Sequence, residues 1–127
     1  MKTILIVDDE SQIRDVYRRI IQATCKTIFR VVESSNAADA MERLMREKID
    51  LVLLDIRMPQ VSGQEIYEVI KACNPRIRVI VASVYPIEEQ KRLIPFATDY
   101  YDKSYGPIRL LQKIAESFIS ENGEVEV

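Results

Sequence analysis

The sequence predicts an α/β fold, a doubly wound parallel sheet of five strands, and three observations carry that prediction. Short apolar runs recur along the 127 residues, most of them rich in β-branched side chains. Stretches of helical period separate them. The runs are also continuous rather than alternating, which suits strands covered on both faces. Short strands joined by helical crossovers imply a parallel sheet with helices on each side.

The elements follow in order. Ile4–Val7 is the most uniformly apolar run and is expected as a central strand. Ile13, Val16, Tyr17, Ile20 and Ile21 then fall at steps of three and four, with Ser11 placed to cap the helix. A second strand is expected over Ile28–Val32. Its helix carries Ala37, Ala40, Met41, Leu44 and Met45, with Asn36 as cap and Asp39 three residues on. Leu51–Leu54 is the third strand. The helix after it shows Ile66, Val69, Ile70 and Cys73, with Ser62 and Glu65 in capping-box positions. Val79–Ala82 is the fourth strand. The stretch from about Pro86 to Phe96 is the least regular helix, and Pro95 ends it. Asp99–Asp102 is a weaker fifth strand. Pro107 suits the first turn of a last helix bearing Leu111, Ile114, Ala115 and Phe118. Residues 1–121 are expected to form one domain and 122–127 a C-terminal tail.

Composition narrows the chemistry. The net charge is −2, so no global basic surface invites nucleic acid. The chain has no His, which removes the usual general base and the commonest transition-metal ligand. Cys25 and Cys73 lack C-x-x-C spacing and are expected to be small buried hydrophobes in a reducing compartment. No apolar run approaches a membrane span, and the first one runs straight into acids, unlike a secretory leader. The expected setting is cytoplasmic, with no membrane partner.

In open α/β sheets the site forms beyond the carboxyl ends of the strands. There the first strand is followed by Asp8 and Asp9, the third by Asp55, the fourth by Ser83 and the fifth by Lys103. Glu33 and Ser34, after the second, suggest no role. Taken singly, an Asp here is a helix cap or turn former, a Ser a turn residue and a Lys a solvated charge. Together they place three carboxylates, a hydroxyl and an amine on one edge. Like charges so close repel unless a cation joins them. All-oxygen donors suit a hard divalent ion, Mg²⁺ or Mn²⁺, which phosphate oxygens commonly complete. The set suits phosphoryl transfer to a carboxylate nucleophile. Glu10 is read as a first-turn helix acid outside the site.

With "IVDDE", "LLDIRMPQVSG", "VIVASV" and "DYYDK" in this β-α register, the sequence resembles a response-regulator receiver domain of two-component signalling over Met1 to about Ser120. The resemblance implies a flavodoxin-like (βα)5 sheet of order 2-1-3-4-5 and a regulatory phosphoacceptor rather than a metabolic enzyme. It implies phosphorylation of Asp55 by a histidine kinase, with intrinsic autophosphorylation and autodephosphorylation. It further implies Mg²⁺ held by Asp9 directly, by Asp8 through water, by Asp55 and by the backbone carbonyl of Arg57. Ser83 matches the switch hydroxyl, Lys103 the phosphate-pairing lysine and Tyr100 the aromatic that turns inward on activation. Pro59 and Gly63 match the loop after the acceptor, where Gly63 allows backbone conformations closed to other residues. Arg57 and Tyr85 stand at the mouth of the site and are expected to modulate water access. A downstream target or fused effector, and phosphorylation-dependent homodimerisation, follow from the resemblance without being identified by it.

Three departures stand out. Lys103 is followed by Ser104 where the family usually has a proline after a cis peptide, and a cis bond before serine costs roughly 3 kcal/mol. Phe96 stands where the family often has glycine, which with Pro95 suggests a remodelled fourth helix. Ala37 stands where a glycine is common. Three other readings share part of this pattern: a degenerate receiver serving as a binding module, a receiver fragment of a larger transcription regulator or hybrid kinase, and a phosphohydrolase with an aspartyl nucleophile. The last needs a second acid two residues beyond the nucleophile, where Arg57 stands.

Overall fold

The computed structural model describes residues 1–25 and 27–119. The expected tail, 122–127, lies outside them. Ten elements alternate: β1 (Lys2–Val7), α1 (Ser11–Cys25), β2 (Phe29–Ser34), α2 (Ala37–Arg46), β3 (Leu51–Leu54), α3 (Gly63–Cys73), β4 (Arg78–Ser83), α4 (Ile87–Leu93), β5 (Asp99–Asp102) and α5 (Pro107–Ser117). All strand pairs are parallel, in the order β2-β1-β3-β4-β5. This is the predicted order, with β1 inside the sheet.

The two faces divide the helices. Leu5, Val7, Val52, Leu54, Val79 and Val81 point to one side, where Ala40, Ile66, Ile70 and Ile94 of the α2–α4 half cover them. Ile4, Ile6, Leu51, Leu53 and Ile80 point to the other, against Tyr17 and Ile21 of α1 and Leu110 and Ile114 of α5. Each fully buried Ile or Leu contributes about 1.5–3 kcal/mol relative to exposure, so the core rests on both layers.

Local signals act as expected at several ends. Asn36 accepts from the Asp39 N–H at 2.9 Å, and Ser62 from the Glu65 N–H at 3.3 Å. Pro107 opens α5 behind Gly106. α4 has seven residues, and Ile94 and Pro95 follow its end.

Other expectations are corrected. Cys25 is only half-buried and Cys73 is exposed; each is the last residue of its helix. Val16, Met45 and Ala115 also leave their stripes for solvent. α5 turns Leu110, Lys113 and Ile114 inward instead. β2 starts one residue late and extends through Glu33 and Ser34.

Candidate functional site

Strand register assembles the site. Val7 pairs with Leu54, so Asp8 and Asp55 leave neighbouring strands side by side, and the Asp55 N–H donates to the Val7 carbonyl at 3.0 Å. Ser83 pairs with Asp102, so Lys103 is the next residue, its N–H on the Ser83 carbonyl at 2.9 Å. The Lys103 side chain reaches back across the strand ends. Its Nζ lies 2.8 Å from Asp8 Oδ2 and 3.4 Å from Asp55 Oδ2. Both acids are buried. This ammonium is the cation that the paired carboxylates require.

The remaining oxygens are held by the backbone. Asp8 Oδ1 accepts from the Glu10 N–H at 2.9 Å, and Asp55 Oδ1 from the Arg57 N–H at 3.1 Å. Arg14 donates to the Asp8 carbonyl at 2.6 Å and to Glu33 at 3.2 Å. Glu33 therefore has a part in holding α1 against the β1–α1 turn. Ser34 likewise donates to Asp39 at 2.6 Å. No residue-type pattern marks the Arg14–Glu33 contact, which depends on which α1 residue the crossover brings to the end of β2, whereas Ser34 and Asp39 meet locally across the β2–α2 turn.

Burial dominates the acidity of Asp55. It pushes the carboxyl up, Lys103 pulls it down and Asp8 pushes it up again, leaving it at about 6. For Lys103, burial opposes the charged form, but the hydrogen bond to Asp8 and the charges of Asp55 and Asp8 outweigh it, and its pKa is raised.

A cleft of about 260 Å³ opens here, lined by Asp9, Glu10, Asp55, Arg57, Val84 and Lys103. A neighbouring groove of about 470 Å³ runs from Asp9 and Arg57 along the β3–α3 loop. Asp8, Asp9 and Glu10 each offer a carboxylate oxygen within 4.8 Å of the others. Glu10 thus stays with the acidic cluster, contrary to the sequence reading. The Asp8 bond to the Glu10 N–H folds the segment back, and α1 starts only at Ser11. An all-carboxylate donor set of this kind fits a hard divalent cation.

The other predicted residues fall around this centre. The Arg57 guanidinium sits over the Tyr85 ring, 5.7 Å from its centroid. Ser83 is fully buried and does not line the cleft, and its hydroxyl oxygen accepts from the Tyr85 N–H at 3.2 Å. Tyr100 is turned inward. Its hydroxyl donates to the Ile94 carbonyl at 2.5 Å and accepts from the Ala97 N–H at 3.1 Å. No described peptide is cis, so Lys103 reaches Asp8 and Asp55 through a trans bond to Ser104. Asp102 accepts from the Ser104 N–H and hydroxyl at 2.8 and 2.7 Å, fixing that turn.

Two backbone assignments shift. Gly63 has no left-handed backbone. Its constraint is space, since a Cβ there would stand 2.6 Å from Ile56 Cα and 2.8 Å from the Asp55 carbonyl oxygen. Gly63→Ala will therefore cost about 1–2 kcal/mol, as overpacking against backbone does, read as a lower urea midpoint at unchanged slope. Among the described residues, the non-glycine residues in the left-handed region are Gln60, at φ 73°, and Phe96, at φ 71°. Phe96 occupies a conformation that favours glycine, and its ring is 91% exposed.

Comparison with known proteins agrees with this geometry. The family model for the response regulator receiver domain matches residues 4–115. Sporulation initiation phosphotransferase F of Bacillus subtilis is 34% identical over 94 residues, 71% of this chain and 73% of that protein. Sensory transduction protein LytT of Bacillus anthracis is 28% identical over 100% of this chain. The chain spans about half the length (51%) of the LytT proteins it matches. Among solved structures, the response regulator TrrA of Thermotoga maritima, in complex with Mg²⁺-BeF, is 27% identical with a TM-score of 0.78, covering 92% of this chain and 99% of that one. No helix among the described residues is long and apolar enough to cross a membrane. Sheet order, strand-end site and family match converge, and the chain belongs to the response-regulator receiver domains of two-component signalling.

Proposed function

We propose that the chain is a phosphoacceptor switch and that Asp55 is the residue modified. The observation that carries this is the Lys103 ammonium, which holds the buried Asp8 and Asp55 carboxylates 2.8 and 3.4 Å away at the edge of an open cleft. An Asp55 oxygen attacks phosphorus, an acyl phosphate bond forms, and the donor's P–N or P–O bond breaks with its electron pair leaving on the donor. A histidine kinase is the donor this reading implies, in a cytoplasmic setting, and small phosphodonors serve the same chemistry. Asp8, Asp9, Asp55 and the Arg57 carbonyl would hold Mg²⁺, or Mn²⁺ in its place, with Glu10 beside them. The bound ion supplies charge neutralisation for the phosphoryl oxygens. Lys103 pairs with one of those oxygens and Ser83 donates to another, while Tyr100 reports the change toward α4 and β5. The output is an altered set of protein contacts, homodimerisation among them, through a target or fused effector.

Intact-mass measurement with a small phosphodonor tests the reading. One phosphoryl adduct should form with Mg²⁺, fail to form with a chelator, and be absent in Asp55→Asn. Full labelling of that variant would overturn the assignment.

Arg57 lines the cleft, and its guanidinium rests on the Tyr85 ring. It should exclude water from the acyl phosphate. Arg57→Ala combined with Tyr85→Ala is expected to speed dephosphorylation about threefold or more, followed by decay of the phosphorylated mass. An unchanged rate would remove these residues from access control.

A further inference from the structure

Glu33 and Ser34 end β2 and take no part in the chemistry above, yet between them they govern both backbone polar groups of Asp8. The Asp8 N–H donates to the Ser34 carbonyl at 3.2 Å. The Asp8 carbonyl accepts from Arg14 Nη1 at 2.6 Å, and among the described residues it has no other donor. Arg14 is in turn aimed by Glu33, whose Oε1 accepts from the Arg14 Nε–H at 3.2 Å. One guanidinium therefore spans a carbonyl and a carboxylate, which takes separated donors in a fixed fork. The Glu10 N–H holds one carboxylate oxygen of Asp8 and Lys103 the other, so Asp8 is tied at every polar atom.

Asp9 is the opposite case. It is exposed, and among the described residues its carboxylate makes no hydrogen bond or ion pair. That carboxylate nevertheless lies within 4.8 Å of those of Asp8 and Glu10, and Asp9 lines both the cleft and the neighbouring groove. Its place is therefore inherited from the backbone, and the carbonyl that Arg14 grips belongs to the peptide joining Asp8 to Asp9. A released carbonyl would let that peptide turn and carry Asp9 out of the cluster. We propose that Arg14 is a positioning residue of the cation site: its guanidinium, aimed by Glu33, locks the Asp8–Asp9 peptide and so keeps Asp9 where a divalent cation can use it. The inference rests on the reading of this cluster as a Mg²⁺ site. The sign of the effect separates positioning from charge. A cationic side chain beside acids, acting by charge alone, opposes Mg²⁺, and its removal would tighten binding. A group that orients a ligand has the reverse effect.

The test titrates Mg²⁺ alone into the whole chain and reads its affinity by calorimetry. Arg14→Met should bind Mg²⁺ about tenfold more weakly than the unmodified chain, the low end of what loss of a ligand-orienting partner costs. Tighter or unchanged binding overturns the proposal. So does a lowered melting temperature with unchanged affinity, which is what a merely structural role produces. Arg18→Met is the control. Arg18 Nε lies 3.6 Å from the other oxygen of Glu33, so this variant removes a positive charge from the same acid and leaves the Asp8 carbonyl held. It should stay within about twofold of the unmodified chain; a loss equal to that of Arg14→Met overturns the proposal. In saturating Mg²⁺ the Arg14→Met chain should be labelled by a small phosphodonor within about twofold of the parent rate, since only the half-saturating Mg²⁺ concentration moves. A rate that stays low overturns the assignment to the cation site. Should Arg14→Met fail to fold, Arg14→Lys decides. It keeps the charge but its point-like ammonium does not span the carbonyl and Glu33, and it should lose about threefold or more in Mg²⁺ affinity; parent affinity overturns the proposal. If the unmodified chain binds no Mg²⁺, the metal-site reading itself falls and this inference with it. If it binds and Arg14→Met matches it, only the role of Arg14 falls.

Discussion

Replacing Lys103 with methionine will lower the stability of the metal-free domain by about 3 kcal/mol, and Mg²⁺ will restore most of that loss. The side chain is 10% exposed, and its Nζ lies between Asp8 Oδ2 and Asp55 Oδ2. Removing one partner from a buried ion pair leaves the other charges uncompensated, which costs about 3–5 kcal/mol in closed sites. The cleft opens to solvent on the Asp9 and Glu10 side, so the lower end applies. Methionine replaces much of the stem volume, which keeps the cavity term small. The raised pKa of Lys103 fixes the sign. The folded state favours the charged amine, so its stabilisation is present through neutral pH and is lost only as pH rises through that raised pKa. A cation bound to the carboxylates would replace the missing charge. Urea unfolding with a chelator and with excess Mg²⁺ separates the two effects. An equal loss in both conditions would mean that no cation reaches Asp8 and Asp55.

How far the sequence carries is seen in particular residues. Continuous apolar runs and three-four spacing are local signals, so β1, β3 and α2 were legible to within a residue or two. The strand-end rule anticipated that Asp8, Asp55 and Lys103 would meet, because each directly follows its strand. Orientation was not legible. Val16 sits one position from Tyr17, which α1 turns inward, and a shift of one position carries a side chain to solvent; Cys73 keeps the three-four spacing but is the last residue of its helix. Glu10 was misplaced because the Asp8 bond to its N–H is a turn formed before the helix. Arg14 and Glu33 were missed because they lie 19 residues apart and no residue-type pattern announces the pair. At Gly63 the constraint is close approach to Ile56 rather than left-handed backbone, and both call for glycine, so a sequence does not separate them.

Asp55→Asn should make the metal-free domain more stable at neutral pH, by about 2 kcal/mol. The carboxyl is 5% exposed, and its pKa stands at about 6 against an ordinary 3.8, with burial as the main cause. A raised carboxyl pKa means that the fold disfavours the anion. Below the unfolded value of 3.8 Asp55 is protonated in both states and no cost exists. As pH rises from there to about 6 the unfolded chain ionises first and the folded state loses ground. Above that range the cost is complete and constant. A rise of about two pKa units corresponds to roughly 3 kcal/mol. Part of this is given back, because an asparagine amide facing Lys103 forgoes the 3.4 Å ion pair, whereas Oδ1 can still accept from the Arg57 N–H. The stability difference between variant and parent should therefore be small at pH 4, climb toward pH 6 and level off by pH 7, read from urea midpoints in chelator. Adding Mg²⁺ should shrink the difference, since the ion stabilises the parent's carboxylate and has less to gain from an amide. A difference independent of pH would show that the ionised Asp55 costs the fold nothing, and that the site's acids are already balanced without a metal. The residue proposed as the phosphoacceptor is then the one that weakens the metal-free fold, and the cost has a plain origin, a carboxylate drawn out of water beside another acid with a single lysine between them.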